Sequence, residues 1–454
     1  MSQLIAYKKH YQRIIHLGVP IMLGQLGIII VGFADNIMVG HHSAIELAAA
    51  SFVNNFFNLV LLFGLGFSYG LTPIIGGLVA RGKKAEAGQM LKNSLLINGA
   101  MGVLLSLLML FLLFHIDSLN QPEELIPYIV PYYVLQLFSL VVAMLFNSFK
   151  QFSDGSTDTV TPMWIMLASN LLNIIGNYFL IYGNAGAPEL GLTGAGLSTL
   201  FSRIFCLAVF CWLFWRKAKY ADYRKGFAQG SLCRADLKEL SRLGVPIGFQ
   251  MGVESASFSL SVIMMGWLGS AALAAHQVVG VITTLGFMVY YGIAAAVTIR
   301  VSQFYQLADW GNVRRSSFAG FHIITAVALC VMFFIYLFRH RLGYLFTDDE
   351  EIVQIVSLLC TSVILYQFGD GLQIVFANSL RGLSDVKYMA CMAFVCHFCI
   401  ALPVGYVCGF LFDWGAIGVW SGFPLSLTLL GYLLYRRFDR LTKELSRRTG
   451  YFLE

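Results

Sequence analysis

Charge is what this chain has least of. Asp, Glu, Lys and Arg together make up 12% of its 454 residues, while 58% are hydrophobic and the mean hydropathy is +0.72. Soluble domains carry roughly 25% charged residues. A domain folded in water is thereby excluded, and lipid is the expected solvent. Cysteine offers no framework either: there are nine, an odd number, and all but Cys233 fall in apolar stretches. Cys396, His397 and Cys399 lie close together, but a structural zinc site needs further ligands nearby, so they are expected to be packed side chains. The short alternating strands of an outer-membrane barrel are missing. So is a secretory signal: the first apolar stretch, about residues 14–40, is too long, contains Asp35, and precedes no signal-peptidase pattern. It is expected to stay in the mature protein.

Long apolar segments are what the chain has in excess. A helix needs roughly 20 apolar residues to cross the hydrocarbon of a bilayer. Twelve such segments begin near residues 14, 47, 91, 127, 162, 190, 241, 272, 316, 354, 387 and 413, six in each half. The expected fold is all-α and integral to the membrane: twelve transmembrane helices in two pseudo-symmetric six-helix bundles. The expected division is an amino-terminal lobe over 1–215, a basic cytoplasmic linker over 216–240, and a carboxy-terminal lobe with a basic tail over 241–454.

The halves are copies. Asn147 to Asp154 reads NSFKQFSD and Asn378 to Asp385 reads NSLRGLSD, each at the end of a long apolar segment. Leu17-Gly18-Val19-Pro20-Ile21 returns as Leu243-Gly244-Val245-Pro246-Ile247, an offset of 226 that also maps Ile37-Met38 and Gly40 onto Ile263-Met264 and Gly266. Gly191, Gly194 and Ser198 before the sixth segment resemble Gly415, Gly418 and Ser421 before the twelfth. Six spans return each half to its starting side, so the copies are parallel and related by an axis along the membrane normal. Pro20 and Pro246 each remove a backbone donor near one helix end and are candidate hinges.

With the amino terminus inside, 27 of the 30 Lys and Arg residues fall on the cytoplasmic side, leaving only Arg339 and Arg341 outside and Arg203 within a span. The positive-inside rule then places both termini in the cytoplasm, in a multi-pass protein of the cell's inner membrane. The net charge of +6 reflects anchoring to anionic lipid, and no nucleic-acid partner is expected.

Ionisable groups inside spans carry the chemistry. A carboxylate at mid-bilayer costs at least roughly 2.5 kcal/mol, so it is paired, hydrated or protonated. Three acids qualify: Asp35 in the first segment, Glu254 in the seventh and Asp370 in the tenth. Tyr366 precedes Asp370 by four residues, placing hydroxyl and carboxyl on one helix face. Asn173 and Asn177 repeat that spacing in the fifth segment. Phe258 lies one turn beyond Glu254, and Gln277 sits in the eighth segment beside His276. If Glu254 and Asp370 approach one another, burial and repulsion disfavour the doubly ionised pair, which would capture a proton. The same oxygens with the Tyr366 hydroxyl also suit sodium, a hard cation. An acidic cleft with aromatic and methionine walls favours organic cations.

These residues resemble the multidrug and toxic compound extrusion (MATE) transporters, across nearly the whole chain, and among them the NorM-like subgroup. That resemblance implies a sodium- or proton-driven antiporter exporting amphipathic cationic molecules, with no cofactor beyond the coupling ion, working as a monomer in the bilayer. It gives Glu254, Asp370 and Tyr366 the cation role, with Na⁺ as one candidate ion at the two acids. It makes Asp35, Asn173 and Asn177 an amino-lobe polar cluster for proton or substrate, with Phe258 and Gln277 as neighbouring substrate or supporting positions. Arg203 falls outside the family pattern and is expected to be structural. The alternative is a flippase for lipid-linked oligosaccharides, which would need several basic residues to meet a pyrophosphate. An enzyme is not expected: the acidic run Asp348, Asp349, Glu350, Glu351 suits a helix start better than a catalytic centre.

Overall fold

A computed structural model describes residues 2–115 and 122–449. The final residues of the expected carboxy-terminal lobe, 450–454, lie outside the described residues. Among the described residues there are twelve long helices: α1 (Ser2–His42), α2 (Ala44–Ala80, interrupted by a turn at Tyr69 and Gly70), α3 (Lys84–Phe114), α4 (Ile126–Gly155), α5 (Val160–Tyr182), α6 (Gly191–Arg216), α7 (Arg234–Trp267), α8 (Ser270–Gln306), α9 (Trp310–Phe338), α10 (Glu350–Gly382), α11 (Val386–Leu411) and α12 (Gly415–Arg448). There is no strand among the described residues. Eleven of these helices are long and apolar enough to span a membrane. The exception, α7, is long enough, but Gln250, Glu254 and the serines at 255, 257, 259 and 261 break its apolar run. Asp349 starts α10 by accepting from the backbone N–H groups of Glu351 and Ile352 at 2.9 and 3.4 Å, the role an acid fills at a helix amino terminus.

The helices gather into two compact units. Among the described residues, one holds 23–115 and 122–248; the other holds 2–22 and 249–449. The units cut across the division expected at 216–240. Both boundaries fall two residues beyond a proline, Pro20 in α1 and Pro246 in α7. Packing explains the assignment of each end. His10 of α1 is buried, with Nε2 3.1 Å from the side-chain oxygen of Asn312 and Nδ1 3.0 Å from the Ser316 hydroxyl, both on α9. Gly18 lies against Gly292 and Ile293 of α8. In the other unit, Gly244 of α7 lies against Phe67 of α2.

Inside each unit the packing repeats. Helix α4 contacts α2, α3 and α6, and α10 contacts α8, α9 and α12 in the same pattern. The first two positions of the repeated motif keep equivalent bonds: the Asn147 and Asn378 amides donate to the carbonyls of Ala143 and Ile374 (3.0 and 2.8 Å), and the hydroxyls of Ser148 and Ser379 to those of Met144 and Val375 (3.3 and 2.9 Å). The threonines at the 226-residue offset both reach the motif but at different positions: Thr72 of α2 donates to Gln151 at 2.7 Å, and Thr298 of α8 donates to Asn378 at 2.9 Å.

The basic segment after α6 is folded onto its own unit. A short helix, Ala221–Gln229, crosses α3 so closely that a Cβ at Gly88 would run into the Tyr223 carbonyl and one at Gly226 into that of Ala85. Phe152, Phe214, Tyr220 and Tyr223 form an aromatic cluster beneath it. Asp158, in the turn between α4 and α5, takes hydrogen bonds from Lys219 and from the Tyr220 hydroxyl. Burial works against its charge, but those bonds prevail and hold its carboxyl below the ordinary carboxylate range. The tie is therefore present above the ordinary Asp pKa of about 3.9 and is lost as pH falls through the lowered folded value. We predict that Gly226→Val, which overpacks this crossing, costs about 1–3 kcal/mol. Its measure is a lower melting temperature in detergent with faster tryptic cleavage at Arg224 and Lys225; unchanged cleavage would mean that the crossing does not clamp the segment.

Candidate functional site

Two polar clusters stand inside the helices, one in each unit. In the 23–248 unit a cavity of about 390 Å³ is bounded by α1, α2, α4, α5 and α6. Asp35, Asn173 and Arg203 line it together with Tyr132, Gln136 and Asn170. Asn177 is fully buried and donates its side-chain amide to Asp35; it also donates to Asn173 at 3.4 Å, and Asn173 donates to the Thr199 hydroxyl at 3.3 Å. The structure thus brings together the three residues expected in the amino-lobe cluster. Helical spacing places Asn173 and Asn177 on one face of α5. Arg203 donates to the Ser139 hydroxyl at 2.6 Å and lies 5.1 Å from the centre of the Phe57 ring. It therefore has the structural tie expected of it and also faces the cavity. No ion pair joins Arg203 to Asp35 among the described residues, so charges of both signs look into one space. Lys150 lines the same cavity but is paired with Asp154 at 3.0 Å, both buried.

Sequence reasoning did not single out Tyr132, Gln136, Ser139 or the buried Lys150–Asp154 pair. Tyr132 donates to Asn54 at 3.2 Å and accepts from Gln136 at 2.9 Å. The four-residue spacing of Tyr132 and Gln136 within an apolar helix was the available signal.

In the other unit, Asp370 is fully buried and both carboxyl oxygens lack a hydrogen-bond partner. Such groups are rare, because a buried polar atom left unmatched costs about 1–3 kcal/mol, more when charged. Glu254 and Asp370 lie close enough to act on one another electrostatically, and the buried Tyr366 hydroxyl feels both. The three residues expected to hold a cation thus lie within electrostatic reach of one another. Arg381, at the carboxy-terminal end of α10, acts electrostatically on Glu254 and donates to Asn378 at 3.2 Å.

Aromatic rings wall this cluster. Phe258 stacks on Phe423 at 4.5 Å and meets Tyr366 edge-on at 6.4 Å; Tyr366 also meets Trp420 at 6.3 Å. His276 is buried and accepts from the Trp420 indole N–H at 3.1 Å, whereas Gln277, one residue on, is exposed on a different face of α8. The neighbouring histidine therefore occupies the inward position. His397 is buried on a π-helical turn of α11, with Nδ1 3.4 Å from the Ser257 hydroxyl, and so belongs to this polar interior. Gln367 accepts from the Tyr290 hydroxyl at 2.8 Å. No group of three or more His, Cys, Asp or Glu side chains placed to hold a metal occurs among the described residues.

Two duplicated helical units, buried acids and a drug-sized cavity define a membrane transporter of two-lobed architecture. The family model MatE matches residues 20–179 and 246–407, each match beginning at a repeated proline, and the chain belongs to that family. It is accordingly a transporter and not an enzyme, and needs no cofactor. It is 29% identical over 435 residues to the probable multidrug resistance protein NorM of Xanthomonas axonopodis, covering 95% of this chain and 94% of the relative. With the multidrug resistance protein NorM of Vibrio cholerae it shares 28% over 444 residues, covering 96% and 97%. Its fold matches the crystal structure of the Vibrio cholerae MATE transporter VcmN in the bent form with a TM-score of 0.87 at 17% identity, covering 97% of this chain and 99% of that one. A MATE crystal structure in the straight conformation matches at 0.85 and 19%, covering 96% and 97%.

The Asp35–Asn177 contact generates a prediction. Asn177→Asp places a second carboxyl against the first, and like charges in a buried site disfavour double ionisation. The variant should melt below the parent at pH 8, with the gap narrowing at pH 5 as one carboxyl takes a proton. A gap of the same size at both pH values would show that Asn177 and Asp35 are not electrostatically joined.

Proposed function

We propose that this protein is a cation-coupled antiporter that exports amphipathic drugs across the cytoplasmic membrane by alternating access, with both termini in the cytoplasm. The observation that carries the reading is Asp370: fully buried, with both oxygens unmatched and a second acid within electrostatic reach. A visiting sodium ion or proton answers that deficit, because either one supplies the positive charge that the protein withholds from Asp370. The Tyr366 hydroxyl completes the donor set for a metal cation. The NorM names of the relatives support multidrug export.

In the proposed cycle the coupling ion enters from outside and neutralises the carboxy-terminal acids. Their neutralisation favours the conformation from which a positively charged drug leaves its chamber. The lobes then rock, the ion escapes to the cytoplasm, and a new drug enters. Coupling requires only that drug and ion favour different conformations. Pro20 and Pro246 are the proposed hinges, since each stands two residues before the point where its helix passes from one compact unit to the other. The amino-lobe cavity, with Asp35 and Arg203 facing it, is the proposed drug chamber; it suits cations and also drugs that carry an anionic group beside the cation. Phe258 is proposed to wall the cation site.

Efflux of a cationic dye from vesicles tests the reading, under an imposed sodium gradient and separately under a proton gradient, with Glu254→Gln and Asp370→Asn beside the parent. Under whichever gradient drives the parent, each variant should lose about tenfold or more of its rate. Normal pumping by both variants would remove the cation site from the mechanism.

A further inference from the structure

The end of α1 farthest from its amino terminus carries a cluster that the proposed cycle does not use. His42, in the last turn of α1, touches two carboxyl groups. Its Nδ1 lies 2.9 Å from Oε2 of Glu46 in the first turn of α2, and its Nε2 lies 3.0 Å from Oε1 of Glu189, between α5 and α6. The same Oε2 of Glu46 accepts the backbone N–H of Leu192, in the first turn of α6, at 2.8 Å. Gly191 holds a left-handed φ of +52°, and a Cβ there would collide with both Glu46 oxygens. Tyr182 of α5 sets its ring edge-on to the imidazole at 6.1 Å and donates its hydroxyl to the Met38 carbonyl at 2.8 Å. The adjacent His41 is turned to the Ile37 carbonyl at 2.8 Å. The end of α1, the start of α2 and the entry to α6 therefore meet at one imidazole.

Counting donors shows what this cluster does. A neutral imidazole has one N–H and one bare lone pair, and an ionised carboxylate only accepts. Neutral His42 can serve Glu46 or Glu189; at the other it presents a lone pair to a lone pair. Both contacts are hydrogen bonds only when the ring carries two protons. We propose that His42 is a proton-operated latch: as imidazolium it ties the end of α1 to α2 and to the segment leading into α6, and on losing a proton it releases one tie. Glu189 is the one released, because its side chain is exposed while Glu46 is buried and held by Leu192. The ordinary histidine pKa near 6.5 puts the transition within reach of physiological pH. In the orientation proposed above, the latch faces outside on the helix that carries Asp35, so external pH sets how freely that end of α1 and the α6 entry move.

Amide hydrogen exchange of the full-length protein in detergent micelles reads the latch without reading transport, so its failure would leave the efflux reading untouched. After correction for intrinsic rates, peptides covering 186–194 of the parent should exchange about tenfold faster at pH 8.5 than at pH 5.5, the loss of one hydrogen bond's worth of protection. His42→Phe should exchange fast at both. Glu189→Gln, at an exposed position that tolerates the change, is the sharper variant. Its amide can donate to the bare Nε2 while Nδ1–H serves Glu46, so the latch should stay closed at both pH values. Equal protection of the parent at the two pH values, or a Glu189→Gln protein that still loosens at pH 8.5, would overturn the proposal.

Discussion

A carboxyl group kept inside a helical bundle with nothing bonded to it is the constraint on which this molecule turns. Desolvation penalises the charged form of Asp370, and the neighbouring Glu254 adds a second charge of the same sign. The protein supplies no hydrogen bond to either oxygen of Asp370. A protein selected only for stability replaces such a group with an apolar residue of similar size, which costs nothing in lipid. Its retention, beside a second acid and a tyrosine hydroxyl, makes sense when an external cation supplies what the fold withholds. The polar run in α7, which keeps that helix below the hydropathy of its eleven companions, belongs to the same expense.

Duplication supplies the scaffold, and divergence separates the two interiors. Helices α4 and α10 pack on equivalent partners and end in equivalent hydrogen-bonded motifs. Within that common frame the acids meet opposite environments. Asp35 is matched by an asparagine and looks into a cavity that also holds a guanidinium, whereas Asp370 is matched by nothing. In the proposed cycle one interior holds the drug and the other takes the cation. Prolines in α1 and α7 mark where each helix passes between compact units, and the proposed hinges stand at these two equivalent points.

Much of this was legible in the sequence. The twelve helices followed from apolar length, α7 included although its polar run sets it apart from its companions, and the 226-residue offset pairs α7 with α1. Glu254, Tyr366 and Asp370 could be read as a group because Tyr366 and Asp370 share a helix face and unpartnered acids in lipid are costly. What stayed hidden depends on tertiary packing. No local pattern shows that residues 1–22 pack with the second half, since that assignment rests on His10 meeting Asn312 and Ser316 about three hundred positions away. Gln277 and His276 are adjacent, and composition does not say which faces inward; a step of roughly 100° along the helix decides it. Arg203 read as a structural residue because it falls outside the family pattern, and the cavity it faces, assembled from five helices, leaves no local mark in the sequence.

The account rests on a small cation and a charged drug competing through the carboxy-terminal acids. Equilibrium binding of a fluorescent cationic drug to the purified protein, titrated with sodium at fixed pH and with protons at fixed sodium, tests this most directly. The account predicts that one of the two ions weakens drug binding in the parent, and that Asp370→Asn abolishes the effect while the variant still binds the drug. Drug affinity indifferent to both ions in the parent would contradict it.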